Sequence, residues 1–286
     1  MVLQEFVGWS LFPRDMRFEK FLVLFGKGAN GKSTVLKTWT FMLGPDNVTH
    51  IPLDRFNAEF RLHEMAGKLA NIASDMNRMA KVEEGVLKEL TSGEPIQVNR
   101  KFKAPITMRP SAKLVFGANE LPPLNDRSYG IWRRLITVPF RRQFTEEEQD
   151  LVRVERLREE LPGIFNWAVE GARRLYRQGH FSCCTVCERA AQQHRRDSDP
   201  FLQFVSERTV RGDHQGVLTK NLYESYVGWC DDNGRLPRAS SEFGKQVLDL
   251  SGVTKCRSGE RPRQYIYEGI ALIDGIPQPA PVRRLR

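Results

Sequence analysis

Residues 20–43 read KFLVLFGKGANGKSTVLKTWTFML, and the fold turns on how this stretch is read. KFLVLF is a short apolar run without helical period, the pattern of a strand buried on both faces. GKGANGKST follows at 26–34 and matches G-x-x-x-x-G-K-[ST] through Gly26, Gly31, Lys32 and Ser33. A helix-compatible run then continues to Leu43 and stops at Gly44–Pro45. Strand, glycine-rich turn and helix in that order are the context in which the motif is a phosphate-binding loop and not a chance match. Glycines let backbone N–H groups close around phosphate oxygens, and the helix N-terminus adds its positive end. On this reading Gly26, Gly28, Asn30, Gly31, Lys32, Ser33 and Thr34 bind the nucleotide, with Lys32 reaching the β- and γ-phosphates and the Ser33 hydroxyl on magnesium. The implied cofactors are ATP and Mg2+.

Further buried-strand patterns lie at 69–73 (LANIA), 112–118 (AKLVFGA) and 135–140 (LITVPF), with helical stretches near 57–66 and 80–91 between them. Strands alternating with helices predict an α/β fold, a parallel sheet covered by helices on both faces. Residues 94–110, EPIQVNRKFKAPITMRP, break that pattern and read as a β-hairpin with a basic tip. From Glu146 to about Gln178 the chain becomes helical and charged, and SDP at 198–200 opens another unit. There, helical runs near 200–208, 219–232 and 240–250 precede β-like stretches at Val253 and RQYIYEG, which describes a winged-helix domain. The expected organisation is a lead-in at 1–19 that ends an upstream helical region, an ATPase core at 20–145, a helical segment at 146–197, a winged-helix domain at 198–272 and a flexible tail at 273–286.

The charge points to a polyanion. The chain carries net +9, with 31 Arg against 13 Lys, and Arg holds phosphate in a planar fork without ever losing its proton. Residues 100–142 hold ten Lys or Arg against Glu120 and Asp126 alone. A solvated face usually interleaves its charges. Mean hydropathy is −0.47, no apolar run reaches the ~20 residues of a membrane span, and the N-terminus lacks the order of a signal peptide. No membrane partner is expected, and the expected location is the cytoplasm of a host cell. The five cysteines are odd in number and form no disulfide framework. His180, Cys184, Cys187 and His194 contain one C-x-x-C pair but no second one, so reduced thiols at a helix start are favoured over zinc.

Two polar residues end strands after the phosphate loop. Asp75, in LANIASDMN, would bring a carboxylate to the magnesium or the attacking water, and Asn119 closes KLVFGAN. Taken alone, either is more often a cap or turn residue. The order of phosphate loop, acid, basic hairpin and strand-ending Asn, however, resembles the superfamily 3 helicases. RKFKAPITMRPSAKLVFGANELPPL and the later WRRLITVPF are similar in particular to the primase–helicases of phages, plasmids and poxviruses, and the likeness runs from Leu3 to Leu272.

The resemblance implies an AAA+-like core, a homo-oligomeric ring (usually hexameric) and 3′→5′ unwinding on single-stranded DNA during phage or plasmid DNA replication. It makes Asn119 the sensor of the γ-phosphate or lytic water, with Glu120 and Asn125 as weaker candidates. Arg134 takes the position of the finger that enters the neighbouring subunit's site, with Arg133 as its rival. Lys101, Phe102 and Lys103 become the DNA-tracking hairpin tip. Two departures stand out. Ser74 precedes Asp75 where many members carry two adjacent acids, which leaves Asp75 to cover both roles or Glu83 or Glu84 to assist. Phe102 stands where a His is common, so stacking replaces an imidazole contact. Lys255, Arg257, Arg261 and Arg263 suggest a basic wing, whereas Tyr226, Trp229 and Phe243 read as core. A primase is expected on an upstream domain or a separate chain. The alternatives are an ATP-dependent origin-binding or loading factor that does not translocate, for which the hairpin has no use, and a small-molecule kinase.

Overall fold

The computed structural model describes residues 1–56, 60–74, 84–121, 124, 129–150, 152–257 and 264–273. In chain order its elements are α1 (Val2–Trp9), β1 (Phe21–Phe25), α2 (Lys32–Leu43), β2 (Val48–Thr49), β3 (Ala70–Ala73), α3 (Glu84–Ser92), β4 (Ile96–Arg100), β5 (Lys103–Met108), β6 (Lys113–Ala118), α4 (Tyr129–Trp132), β7 (Leu135–Pro139), α5 (Arg153–Glu159), α6 (Leu161–Gln178), α7 (Thr185–Ser198), α8 (Pro200–Arg208), β8 (Thr209–Leu218), α9 (Thr219–Asp232), α10 (Ser240–Leu248), β9 (Thr254–Arg257) and β10 (Tyr265–Leu272). They fall into two compact units, Met1–Arg195 and Arg196–Arg286.

The first unit is built on a five-stranded sheet of order β2-β3-β6-β1-β7 in which all neighbouring strands run parallel. Apolar runs without alternation are what a sheet covered on both faces requires, because both sets of side chains leave water. Phe21 and Val23 of β1 join Leu114 and Phe116 of β6 in one core, which Leu87 and Leu90 of α3, Ile131 of α4 and Ile96 and Val98 of β4 complete. Leu22, Leu24 and Val115 point the other way, into a core with Leu36 and Trp39 of α2, Phe6 and Trp9 of α1 and Leu175 of α6. Helices therefore cover both faces, as the alternating pattern predicts.

The N-terminal helix is locked to α6 by close approach. A Cβ on Gly8 would stand 2.2 Å from the Ala168 carbonyl oxygen, and one on Gly171 would stand 2.2 Å from that of Gln4. Buried Glu5 accepts from the Arg174 guanidinium at 2.6 Å and from the Ser182 backbone N–H at 2.8 Å. Lys113, fully buried at the start of β6, donates to the Phe12 carbonyl at 2.9 Å and lies 4.8 Å from the Trp9 ring, pinning the segment after α1.

The second unit packs α8, α9 and α10 around Phe204, Tyr226, Trp229 and Phe243, against an antiparallel sheet of order β8-β10-β9. Tyr226, Trp229 and Phe243 are core residues, as their sequence context indicates. The sheet has one strand more than the two expected. β8 was invisible because its polar, glycine-interrupted sequence TVRGDHQGVL is mostly exposed and owes its extension to pairing with β10. Two helical expectations also fall short. Near 57–66 the described part is a single 3-10 turn at Leu62–Met65, and the charged helix begins at Arg153, not Glu146, because Thr145 N–H bonds to Glu148 in a turn. Among the described residues no helix is long and apolar enough to cross a membrane.

Candidate functional site

The loop between β1 and α2 is shaped by backbone that L side chains seldom adopt. Gly26 has φ 153°, Ala29 φ 56° and Gly31, capping α2, φ 86°. A Cβ on Gly26 would meet the Phe140 carbonyl oxygen at 2.2 Å, so only glycine allows the loop to pass so close to the end of β7. Phe144 N–H bonds to the Ala29 carbonyl at 2.7 Å and holds the turn from outside. At Gly28 nothing lies within 4 Å of an added Cβ, so the rim of the loop stays open. Beneath it the Lys32 ammonium donates to the Gly26 carbonyl at 2.6 Å and to Asn30 Oδ1 at 3.0 Å. Asn30 in turn donates to the carbonyls of Lys27 at 2.5 Å and Phe140 at 3.2 Å. Burial holds the Lys32 pKa below its usual value. Ser33 is exposed at the start of α2, with Thr34 half-buried behind it. An open loop with a buried cation at its floor fits a polyphosphate, and the Ser33 hydroxyl beside it fits that group's metal.

Strand register brings the next residue in. Phe25 stands opposite Ala118, and Gly26 N–H bonds to the Ala118 carbonyl at 3.2 Å, so Asn119 leaves β6 level with the phosphate loop and is exposed there together with Glu120. β3 lies beyond β6, with Ala73 opposite Phe116 and the Ser74 carbonyl 2.8 Å from a Cβ built on Gly117. Asp75, Glu83 and Asn125 lie outside the described residues; Glu84 begins α3.

Arg133 and Arg134 lie at the other end of the strands, where edge strand β7 begins. Phe21 opens β1 opposite Leu135, and its N–H bonds to the Arg134 carbonyl at 2.9 Å. From Leu135 to Pro139 the strand advances four residues, about 13 Å at ~3.3 Å each. Neither arginine therefore sits at the phosphate loop of its own chain. Both grip Glu19, Arg134 at 2.7 Å and Arg133 at 3.1 Å, but the Arg134 side chain is only 10% exposed and that of Arg133 54%. Arg134 also donates to the Gly130 carbonyl at 2.9 Å, and its Nε is buried without a hydrogen-bond partner. Lys20 donates to the Arg133 carbonyl, and its pKa is lowered by burial and then by the two guanidinium groups. Sequence reasoning did not single out Glu19 or Lys20, which carry no motif and gain their place only through tertiary contact.

The hairpin β4–β5 leaves the sheet with Ile96, Val98 and Met108 in the core and its tip in solvent. Phe102 is 95% exposed, with φ 57°. An aromatic so placed gains no stability from burial, and its left-handed backbone carries a strain cost. Lys101 Nζ lies 5.1 Å from its ring, and Lys103 is exposed beside it.

Among the described residues no cluster of three or more His, Cys, Asp or Glu could hold a metal ion. Cys183 bonds to Glu188, the Cys187 thiol is pushed up to about 12, mainly by burial, and His194 packs edge-on to Trp132. These thiols sit protonated at the start of α7.

The protein of Acanthamoeba polyphaga mimivirus named "Putative helicase L207/L206" is 26% identical over 249 residues, which is 77% of this chain and 26% of that protein. The chain is a distant homologue of that mimivirus protein. It spans about a quarter of the length of this curated relative. Residues 24–134, from the phosphate loop to Arg134, match a family of unknown function (DUF5906). Two structures of the apo C-terminal region of NrS-1 share the fold. One, in the A form, has TM-score 0.52 at 13% identity over 93% of this chain and 71% of the other; the second has 0.51 at 14% over 94% and 71%.

Proposed function

We propose that the chain is an ATP-hydrolysing motor of the superfamily 3 helicase type, with an AAA+-like core that assembles as a ring and moves on single-stranded DNA during replication. One observation carries this reading: the phosphate loop and Asn119 lie at the C-terminal ends of β1 and β6, and a pair of arginines lies at the opposite end, where edge strand β7 begins. A site split in this way would be completed when a second copy turns its arginines toward the first copy's loop. The mimivirus relative's name supports the helicase reading, and the order helix–strand–helix–helix–strand–strand in the second unit supports a winged helix.

In this account Lys32 exchanges its bonds to Gly26 and Asn30 for phosphate oxygens, and the loop's N–H groups hold the remainder. Ser33 and Asp75 would hold magnesium, which would supply charge neutralisation at the phosphates. Asn119 orients the attacking water by a hydrogen bond, and Asp75 draws its proton. Arg134 or Arg133 of a neighbouring copy offsets the charge that develops on the transferred group. Lys101 and Lys103 hold backbone phosphates, and Phe102 stacks on a base or sugar.

The hairpin favours a translocating motor over an origin-binding switch, because an exposed strained aromatic between lysines serves a moving contact with a strand. A strand-displacement assay on a duplex with a 3′ single-stranded tail tests this. ATP-dependent release of the labelled strand is expected, and it should be lost in Lys101→Ala. ATP hydrolysis without displacement would favour the switch.

A further inference from the structure

Three of the five cysteines, Cys183, Cys184 and Cys187, stand together where the chain enters α7. Cys184 immediately precedes the helix, and its carbonyl accepts a helical bond from the Glu188 N–H at 2.9 Å. Its sulfur accepts the Cys187 N–H at 3.3 Å, so a thiol takes the place that a capping hydroxyl usually fills. The Cys187 thiol hydrogen-bonds to the same sulfur; burial first, and then that contact, keep its proton on well above the ordinary thiol range. Cys187 is also fixed from outside, because the buried Thr137 hydroxyl of β7 donates to its carbonyl at 3.1 Å.

Cys183 is placed differently. It is exposed, and its thiol is engaged by the Glu188 carboxylate at 3.0 Å. Cys184 and Cys187 are half-buried, within reach of a small reagent yet against each other. An i, i+3 pair across a helix start suits the about 4.4–6.8 Å between Cα atoms that a disulfide spans. Among the described residues no cluster of three metal-ligating groups forms here, so the pair is left with thiol chemistry.

We propose that Cys184 and Cys187 form a reversible dithiol–disulfide site for low-molecular-weight disulfides, with Cys184 as the attacking thiol and Cys187 as the resolving one. Two donors already point at the Cys184 sulfur, and donors support the anion that an attack requires. Cys184 gives its proton to solvent, and its sulfur bonds to one sulfur of the reagent. The reagent's S–S bond breaks, and its other half leaves as a thiolate that takes up a proton. Cys187 then loses its proton, attacks the Cys184 sulfur and expels the remaining half as a second thiol. The chain has lost two hydrogen atoms, and the reagent has been reduced to two thiols. In a reducing compartment the same steps run backwards, which makes the site reversible.

The test treats the full chain with oxidised glutathione, quenches it in acid and reads intact mass and disulfide-mapped peptides. The parent chain should lose two hydrogens, mapped to a Cys184–Cys187 bond, and regain them in dithiothreitol. Cys187→Ser should stop at the mixed disulfide and carry one glutathione on Cys184, whereas Cys183→Ser should behave as the parent does. Mapping of the parent chain needs no substitution, so a variant that folds poorly does not decide the outcome. A bond that includes Cys183, glutathione that stays on the parent chain without ring closure, or no reaction at Cys184 would each overturn the proposal. It stands apart from the motor reading, because neither nucleotide nor DNA takes part in the measurement.

Discussion

Replacing Arg134 by alanine should touch two links at once, the fold of its own chain and, under the proposed function, the chemistry of a neighbouring copy. Locally it removes the 2.7 Å ion pair with Glu19 and the 2.9 Å bond to the Gly130 carbonyl. Glu19 is 37% exposed and regains water, so the cost stays below the ~3–5 kcal/mol of a broken fully buried pair. About 2 kcal/mol is reasonable for two charge-assisted contacts at a partly wet site. At ~2–4 °C per kcal/mol in a unit of this size, the melting temperature should drop by about 4–8 °C. Arg133→Ala, on a side chain more than half exposed, should cost under about 1 kcal/mol. Catalytically, loss of a charge-stabilising arginine costs on the order of a thousandfold in turnover, about 4 kcal/mol of barrier. The sheet separates Arg134 from its own phosphate loop by about 13 Å of strand, so under the proposed function the activity should be lost at the site of a neighbouring copy. The assay is therefore a mixing experiment. Inactive Arg134→Ala chains and inactive Lys32→Ala chains are combined and ATP hydrolysis is followed, with activity expected back at interfaces that pair an intact loop with an intact arginine. Turnover in Arg134→Ala alone at the parent rate would refute the assignment. Absence of recovery in demonstrated mixed assemblies would refute it in favour of Arg133 or of a purely structural Arg134.

Lys32→Ala should abolish hydrolysis, since no other described cation stands on the floor of the loop; near-normal turnover in the purified variant would remove the loop from the site. Asp75→Asn should keep nucleotide binding and lose turnover, as read by nucleotide titration beside phosphate release. Lys101→Ala should leave basal hydrolysis intact, abolish its stimulation by single-stranded DNA and flatten the salt slope by about one phosphate contact per subunit. Burial pushes the Lys113 ammonium down to about 8, whereas the unfolded chain keeps its proton to about 10.4. Between those values the unfolded state binds more protons, so stability should rise with pH from about 8 towards 10.4; thermal melts of Lys113→Met should show that rise flattened.

The parts of the fold legible in sequence were those whose own residues encode their surroundings. FLVLF and KLVFGA are apolar at every position because each is covered on both faces, and IQV alternates because its hairpin has one wet side. Gly26 and Gly31 announced the loop because no other residue takes their backbone so cheaply. β8 escaped because its extension comes from pairing, not from its side chains, and the helix expected at Glu146 gave way to a turn that a Thr–Glu pair stabilises. The site divides in the same way. Lys32 stands on the loop floor, Asn119 leaves β6 level with it and the hairpin tip is in solvent, each position following from the strand before it. The grip of Glu19 on both arginines joins residues more than a hundred positions apart, and nothing local to either segment encodes it.

The central claim, a DNA-driven nucleotide motor, is met most directly by measuring phosphate release from ATP by the purified chain with and without single-stranded DNA, at protein concentrations that span assembly. The account predicts hydrolysis that rises with assembly, rises further on single-stranded DNA and is absent in Lys32→Ala at every concentration. Hydrolysis that ignores DNA and assembly alike, or none at all from assembled wild-type chains, would contradict it.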